Sequence, residues 1–159
     1  MTGSATFALA EKLFLTMLSG DGASGIDYDR NQVLENGDSF YFPVGWIGCS
    51  GHLVSKNPLR LISFGSYIGP EEHIWAYYTG ISLAPLGKDR KNKFKILGIN
   101  DRDNTVRVLK TFLDSNLLAR DLIPRLSSLP VEFSDIDLYF GISGLLEAKE
   151  NDWFRFEVT

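Results

Sequence analysis

The sequence predicts an α+β fold, an antiparallel meander sheet with flanking helices. Three strand-like runs, Ser39–Trp46, Ser50–Lys56 and Leu59–Phe64, follow one another closely. Their connections are too short for the crossover that parallel strands need, so the runs must pair antiparallel. Apolar residues at helical spacing bracket them, first over Ala5–Leu18 and again after Pro70. A second set of strand and helix signals fills the chain after residue 94.

Ala5–Leu18 places Phe7, Ala10, Phe14 and Met17 at helical spacing, and Ser4 stands where a cap belongs. Residues 19–25, SGDGASG, form a glycine-rich connector. No strand precedes it and no Gly-Lys-Ser/Thr closes it, so it is not a phosphate loop. In the first strand Phe40, Phe42, Val44 and Trp46 share a face, and Pro43 marks either an edge strand or a bulge. Asn57-Pro58 is the turn of the following hairpin. Gly65, Ser66 and Gly69 then interrupt the pattern. Pro70 suits the first helical position, because its missing N–H would be unpaired there anyway. Glu71 and Glu72 complement the positive end of the helix dipole. Ile74, Tyr77 and Tyr78 make an apolar face, Gly80 supplies the stop, and Trp75 lies roughly opposite. A tryptophan so placed must be covered by another segment or another molecule.

Ser82–Lys93, with Pro85, Gly87 and a basic run, reads as a solvated linker. A strand over Phe94–Ile99 follows, then a helix over Arg102–Leu113 capped by Asn100 or Asp101 with Val106, Leu109 and Leu113 on one face. A helical piece over Leu117–Leu129 is broken or restarted at Pro124. Val131–Phe133, Asp137–Ile142 and Trp153–Val158 read as strands. The 159 residues are most simply one domain, with sub-lobes 1–87 and 94–159 joined by the basic linker as a subdivision. The two halves either share one sheet or pack as two α/β lobes.

The hydrophobic fraction of 44% and charged fraction of 23% are those of an ordinary soluble domain. Aromatics, at 13%, exceed the usual level, which favours a β-rich core or interface anchors. No segment reaches the roughly 20 apolar residues of a membrane helix. No basic patch precedes the first apolar stretch, and Cys49 is the only cysteine, so a reducing, cytoplasmic location is expected. The net charge of −4 divides as −4 over residues 1–87, +5 over 88–128 and −5 over 129–159. An acidic protein with an acidic C-terminal end suits a basic partner and not nucleic acid. The basic run carries one aromatic, Phe94, too few planar groups for RNA stacking.

Cys49 and His52 are the sharpest enzymatic candidates. On a regular strand residues three apart point to opposite faces, and no third orienting group is evident. With His73 they are also too few ligands for a zinc site. His52 reads as a half-buried hydrogen-bonding residue and His73 as solvent-facing. Carboxylates are plentiful, including Asp27 and Asp29 and, toward the C-terminus, Glu132, Asp135, Asp137, Glu147, Glu150 and Asp152. They form either a solvated face or an electrostatic patch for a basic partner.

Residues 49–81 resemble the YrhB-like immunity proteins of bacterial polymorphic toxin systems. The matching positions are Gly51, Leu53, Val54 and Lys56 before the turn, Phe64, Gly65 and Ser66 after it, then Glu71, Glu72, Ile74 and Tyr77. The family's acidic residue and glycine at the hairpin turn are replaced here by Asn57-Pro58. The resemblance implies a non-enzymatic, cofactor-free cytoplasmic protein that binds and neutralises a cognate toxin domain. Charge complementarity makes a basic toxin domain the expected partner. The expected contact residues are the six C-terminal carboxylates above, with Trp75, Tyr77 and Tyr78. The alternative is a small cytoplasmic enzyme or ligand-binding domain using a cleft between the halves. A structural subunit that homodimerises through Trp75 is a third reading.

Overall fold

The computed structural model describes residues 6–20, 28–46, 49–64, 68–83, 90–114 and 122–159. The fold is α+β with two antiparallel sheets, and the first is the expected meander. The chain divides into two compact units, Met1–Ile74 and Trp75–Thr159.

In the first unit, α1 (Phe7–Gly20) precedes β1 (Leu34–Asn36), β2 (Ser39–Trp46), β3 (Cys49–Lys56) and β4 (Leu59–Phe64). The sheet order is β1-β2-β3-β4. Ser4, the expected cap of α1, lies outside the described residues. The β2–β3 register shifts between Pro43 and Trp46, so the proline marks a bulge in an inner strand. It is tolerated there because β1 ends opposite Tyr41 and leaves β2 uncovered on that side beyond it.

Strand alternation sends Phe40, Phe42, Val44 and Val54 to the α1 face. Ala10, Phe14 and Leu18, at i, i+4 and i+8, meet them. Phe14 is the hub of this cluster: it stacks on Phe42 at 4.6 Å and takes the edge of Tyr28 at 5.1 Å. Tyr28 also hydrogen-bonds Glu11, while Arg30 Nε pairs with Glu11 at 3.0 Å. Burial first, and then the Glu11 carboxylate, push the Tyr28 phenol up to about 12.

Lys56, at the end of β3, reaches across to the β1–β2 hairpin. It pairs with Glu35, donates to the Gly37 carbonyl at 2.8 Å and lies 4.5 Å over the Phe40 ring. The opposite face carries Tyr41, Leu53 and Phe64, all buried, with Tyr41 stacked on Phe64.

α2 (Pro70–Thr79) contains the division between the units and ends at Gly80, whose φ of +85° suits a glycine stop. Its buried residues are His73, Ile74 and Ala76, with Tyr77 half-buried. The expected stripe of Ile74, Tyr77 and Tyr78 is therefore rotated. Tyr78 is 45% exposed, and His73, expected in solvent, is fully buried.

The second unit holds β5 (Lys91–Ile99), α3 (Arg102–Leu109), β6 (Val131–Asp137), α4 (Ile142–Glu150) and β7 (Phe154–Val158), with sheet order β6-β5-β7. α3 starts at Asp101, whose carboxylate accepts from Asn104 N at 3.0 Å. Those hydrogen bonds hold the Asp101 carboxyl below the usual range. α3 is shorter than expected, and Thr105, Val108 and Leu109 are buried where Val106 is only half-buried. Of the helical piece over 117–129, residues 117–121 lie outside the described residues. From Ile123 the chain makes only a short 3₁₀ turn, Ile123–Arg125, with Pro124 in its first positions.

Two further expectations are corrected. Asp137–Ile142 is not a strand: β6 ends at Asp137, Tyr139–Gly141 is a 3₁₀ turn, and α4 begins at Ile142. Ile142, Leu145 and Ala148 are its buried stripe. The end of the basic run is also no linker, since β5 starts at Lys91. Asn92 is buried, donating to the Gly80 carbonyl and accepting from Ser82 N, each at 3.1 Å.

Candidate functional site

The structure separates the six C-terminal carboxylates into two sets in the second unit. Glu132, Asp135 and Asp137 lie on β6, an outer strand of the sheet. Glu147 and Glu150 lie on α4, with Asp152 in the turn after it.

Their surroundings differ. Asp137 pairs with Arg90 at 3.0 Å, and Arg90 is buried, 4.5 Å over the Tyr139 ring and 5.4 Å over Phe140. Glu147 faces Arg107 at 3.5 Å, and that guanidinium lies 4.9 Å over Trp153. Glu132 stands opposite Lys95 on β5, which in turn faces Glu157 on β7. Asp135, Glu150 and Asp152 are exposed and have no ion-pair partner among the described residues. Asp152 accepts one hydrogen bond from Asn100 Nδ2 at 2.9 Å.

Asp135 and Asp152 share a further property. Their φ angles are +60° and +53°, and they are the only non-glycines of positive φ among the described residues. Asp135 sits where the β5–β6 register shifts between Asn92 and Phe94. Asp152 occupies the helix-stop position, with Trp153 N donating to the Ala148 carbonyl at 3.0 Å. Glycine is the favoured residue at both kinds of position, since it has no Cβ to crowd the following carbonyl.

Trp75 and Asp152 are brought together. Both line a hollow of about 290 Å³ with Thr79, Lys149, Phe154, Arg155 and Phe156. Trp75 meets Phe156 edge-on at 6.4 Å, and Lys149 Nζ lies 5.9 Å from its ring centroid. Its indole N–H is buried with no hydrogen-bond partner among the described residues. The expected cover for Trp75 is thus supplied in part by β7 and α4. Lys149, Arg155 and Phe156 were not singled out from sequence, because only the β7 alternation was legible and not what lay across from it. Tyr77 and Tyr78 meet each other edge-on at 5.3 Å and do not line the hollow.

His52 is buried, its Nδ1 2.9 Å from Ser63 Oγ and its ring 5.6 Å from Phe14. The Cys49 side chain lies outside the described residues, as does Asp27. Asp29 caps the 3₁₀ turn Arg30–Gln32 by accepting from Asn31 N. Among the described residues, no three His, Cys, Asp or Glu side chains cluster as metal ligands, and no helix is long and apolar enough to cross a membrane. Comparison with protein-family models, characterised proteins and solved structures gives no match to this chain.

Proposed function

We propose that this chain is an immunity protein that binds a basic toxin domain through exposed carboxylates of its second unit, in the bacterial cytoplasm. The observation that carries the reading is the pair Asp135 and Asp152. Each is an exposed acid held in left-handed backbone, where glycine would be more stable by about 1 kcal/mol. Negative charge is thus kept at a local cost in stability, as expected of groups that recognise a partner. Glu150, also without an ion-pair partner among the described residues, stands near Asp152 at the end of α4. Inhibition by contact needs only affinity and shape, and complementary charge raises the association rate. The resemblance over residues 49–81 supports the same reading.

The test is co-expression with a basic toxin domain sought in the neighbouring genes. Restored growth and a co-purifying complex are expected. Toxicity undiminished by a well-folded chain overturns the reading.

A further inference from the structure

Independently of that reading, we propose that the hollow beside Trp75 is a binding site for a small organic anion, a carboxylate carried on a flat apolar body. Its walls come from α2 through Trp75 and Thr79, from the end of α4 through Lys149, and from the outer strand β7. The apolar part of the lining is aromatic: Trp75, Phe154 and Phe156. At about 290 Å³ the space is close to the smallest ligand pockets and takes a single ring with a short substituent.

Charge decides the class of ligand. Lys149 and Arg155 both line the hollow, and neither has a carboxylate partner among the described residues. Lys149 lies toward the Trp75 ring face, so an anion seated on that ring would meet its ammonium. Arg155 is backed by β5: Gly98 has no side chain, and a Cβ there would come 2.8 Å from Nη2. The one acid of the lining, Asp152, is already hydrogen-bonded by Asn100. Thr79 is engaged too, its hydroxyl donating to the Trp75 carbonyl at 2.8 Å. The two cations outnumber the one acid of the lining, Asp152, so beside the aromatic wall a planar carboxylate is favoured over a planar amine.

The experiment follows the Trp75 indole ¹H–¹⁵N signal by NMR, assigned with a Trp75→Phe variant, on the full chain. The probes are phenylacetate, phenethylamine of matched shape and opposite charge, and acetate, which lacks the ring. Saturable shifts with phenylacetate in the low-millimolar range are expected, with binding at least about tenfold weaker for the other two. A Lys149→Gln/Arg155→Gln variant, checked for an unchanged melting temperature, should bind phenylacetate about tenfold more weakly. If that variant is less stable, the single changes and the phenethylamine comparison on the wild type decide. Absence of a saturable shift with phenylacetate, or equal binding of phenethylamine, overturns the proposal. Co-expression with a toxin is unaffected by this outcome, so the two readings fail separately.

Discussion

His73 lies flat on Phe64, with ring centroids 4.3 Å apart and planes 6° from parallel. The imidazole is fully buried, and burial lowers its pKa to about 4 against the ordinary 6.5, with a hydrogen bond to the Gly69 backbone partly opposing. Between those values the unfolded chain binds more protons than the folded one, so stability falls as pH drops through this window. Below about 4 both states are protonated and the loss levels off. Urea unfolding should show about 1–2 kcal/mol less stability at pH 5 than at pH 7. His73→Phe, which keeps a ring on Phe64, should lose most of that difference. An equal pH dependence in the variant would place its origin elsewhere.

Gly51 and Gly20 should respond oppositely to alanine. A Cβ at Gly51 would collide with the Tyr41 hydroxyl and ring and come 2.8 Å from the Phe42 carbonyl oxygen. Tyr41 is itself buried and stacked on Phe64, so it has little room to move. Gly51→Ala should cost about 2–3 kcal/mol. Gly20 has nothing within 4 Å, and Gly20→Ala should be neutral or stabilising by about 0.5 kcal/mol. Denaturant midpoints of the two variants give the comparison directly.

Arg90 joins Asp137 to the Tyr139 ring from a buried position. Arg90→Ala removes both contacts and should cost about 2–4 kcal/mol. Lysine keeps the charge but not the flat guanidinium, so Arg90→Lys should recover only part of the loss. Full recovery by lysine would show that charge alone matters.

Much of the first unit was legible because its signals are local. The Pro43 bulge, the Asn57-Pro58 turn and Pro70 at the helix start each act through neighbouring backbone, as Asp101 does as a cap in the second unit. α4 was not legible, since Leu138–Leu146 is a nearly continuous apolar run interrupted by Gly141 and Gly144, which argue against a helix. Those glycines answer to α3 and the turn after it. A Cβ at Gly141 would strike the Phe112 ring, and one at Gly144 would come 3.2 Å from Val108 Cγ1. β1 was missed because Leu34, Glu35 and Asn36 are all exposed and are ordered by pairing with β2. Arg90 and Asn92 read as linker because their partners, Asp137 and Gly80, lie ten or more residues away. The acids were legible as a group, but not which of them are paired internally.

Asp135→Gly and Asp152→Gly should each raise stability by about 0.5–1 kcal/mol by relieving left-handed backbone. At Asp152 the lost bond from the Asn100 side chain is buffered, because Asn100 Nδ2 also donates to the Asp152 carbonyl at 3.0 Å. Asparagine tolerates the same backbone without the charge, so Asp135→Asn and Asp152→Asn should leave stability nearly unchanged. If both glycine variants are less stable than wild type, the acids are structural and the argument for recognition fails.

Recognition through these acids is tested most directly by the association rate with the proposed partner, a basic toxin domain from a neighbouring gene, measured from low to high salt. The comparison is between wild type and a variant carrying Asp135→Lys, Glu150→Lys and Asp152→Lys. At low salt the variant should associate about tenfold or more slowly, and its rate should lose the salt dependence of the wild type. Identical association of the two proteins across the whole salt range would contradict a contact made through these acids.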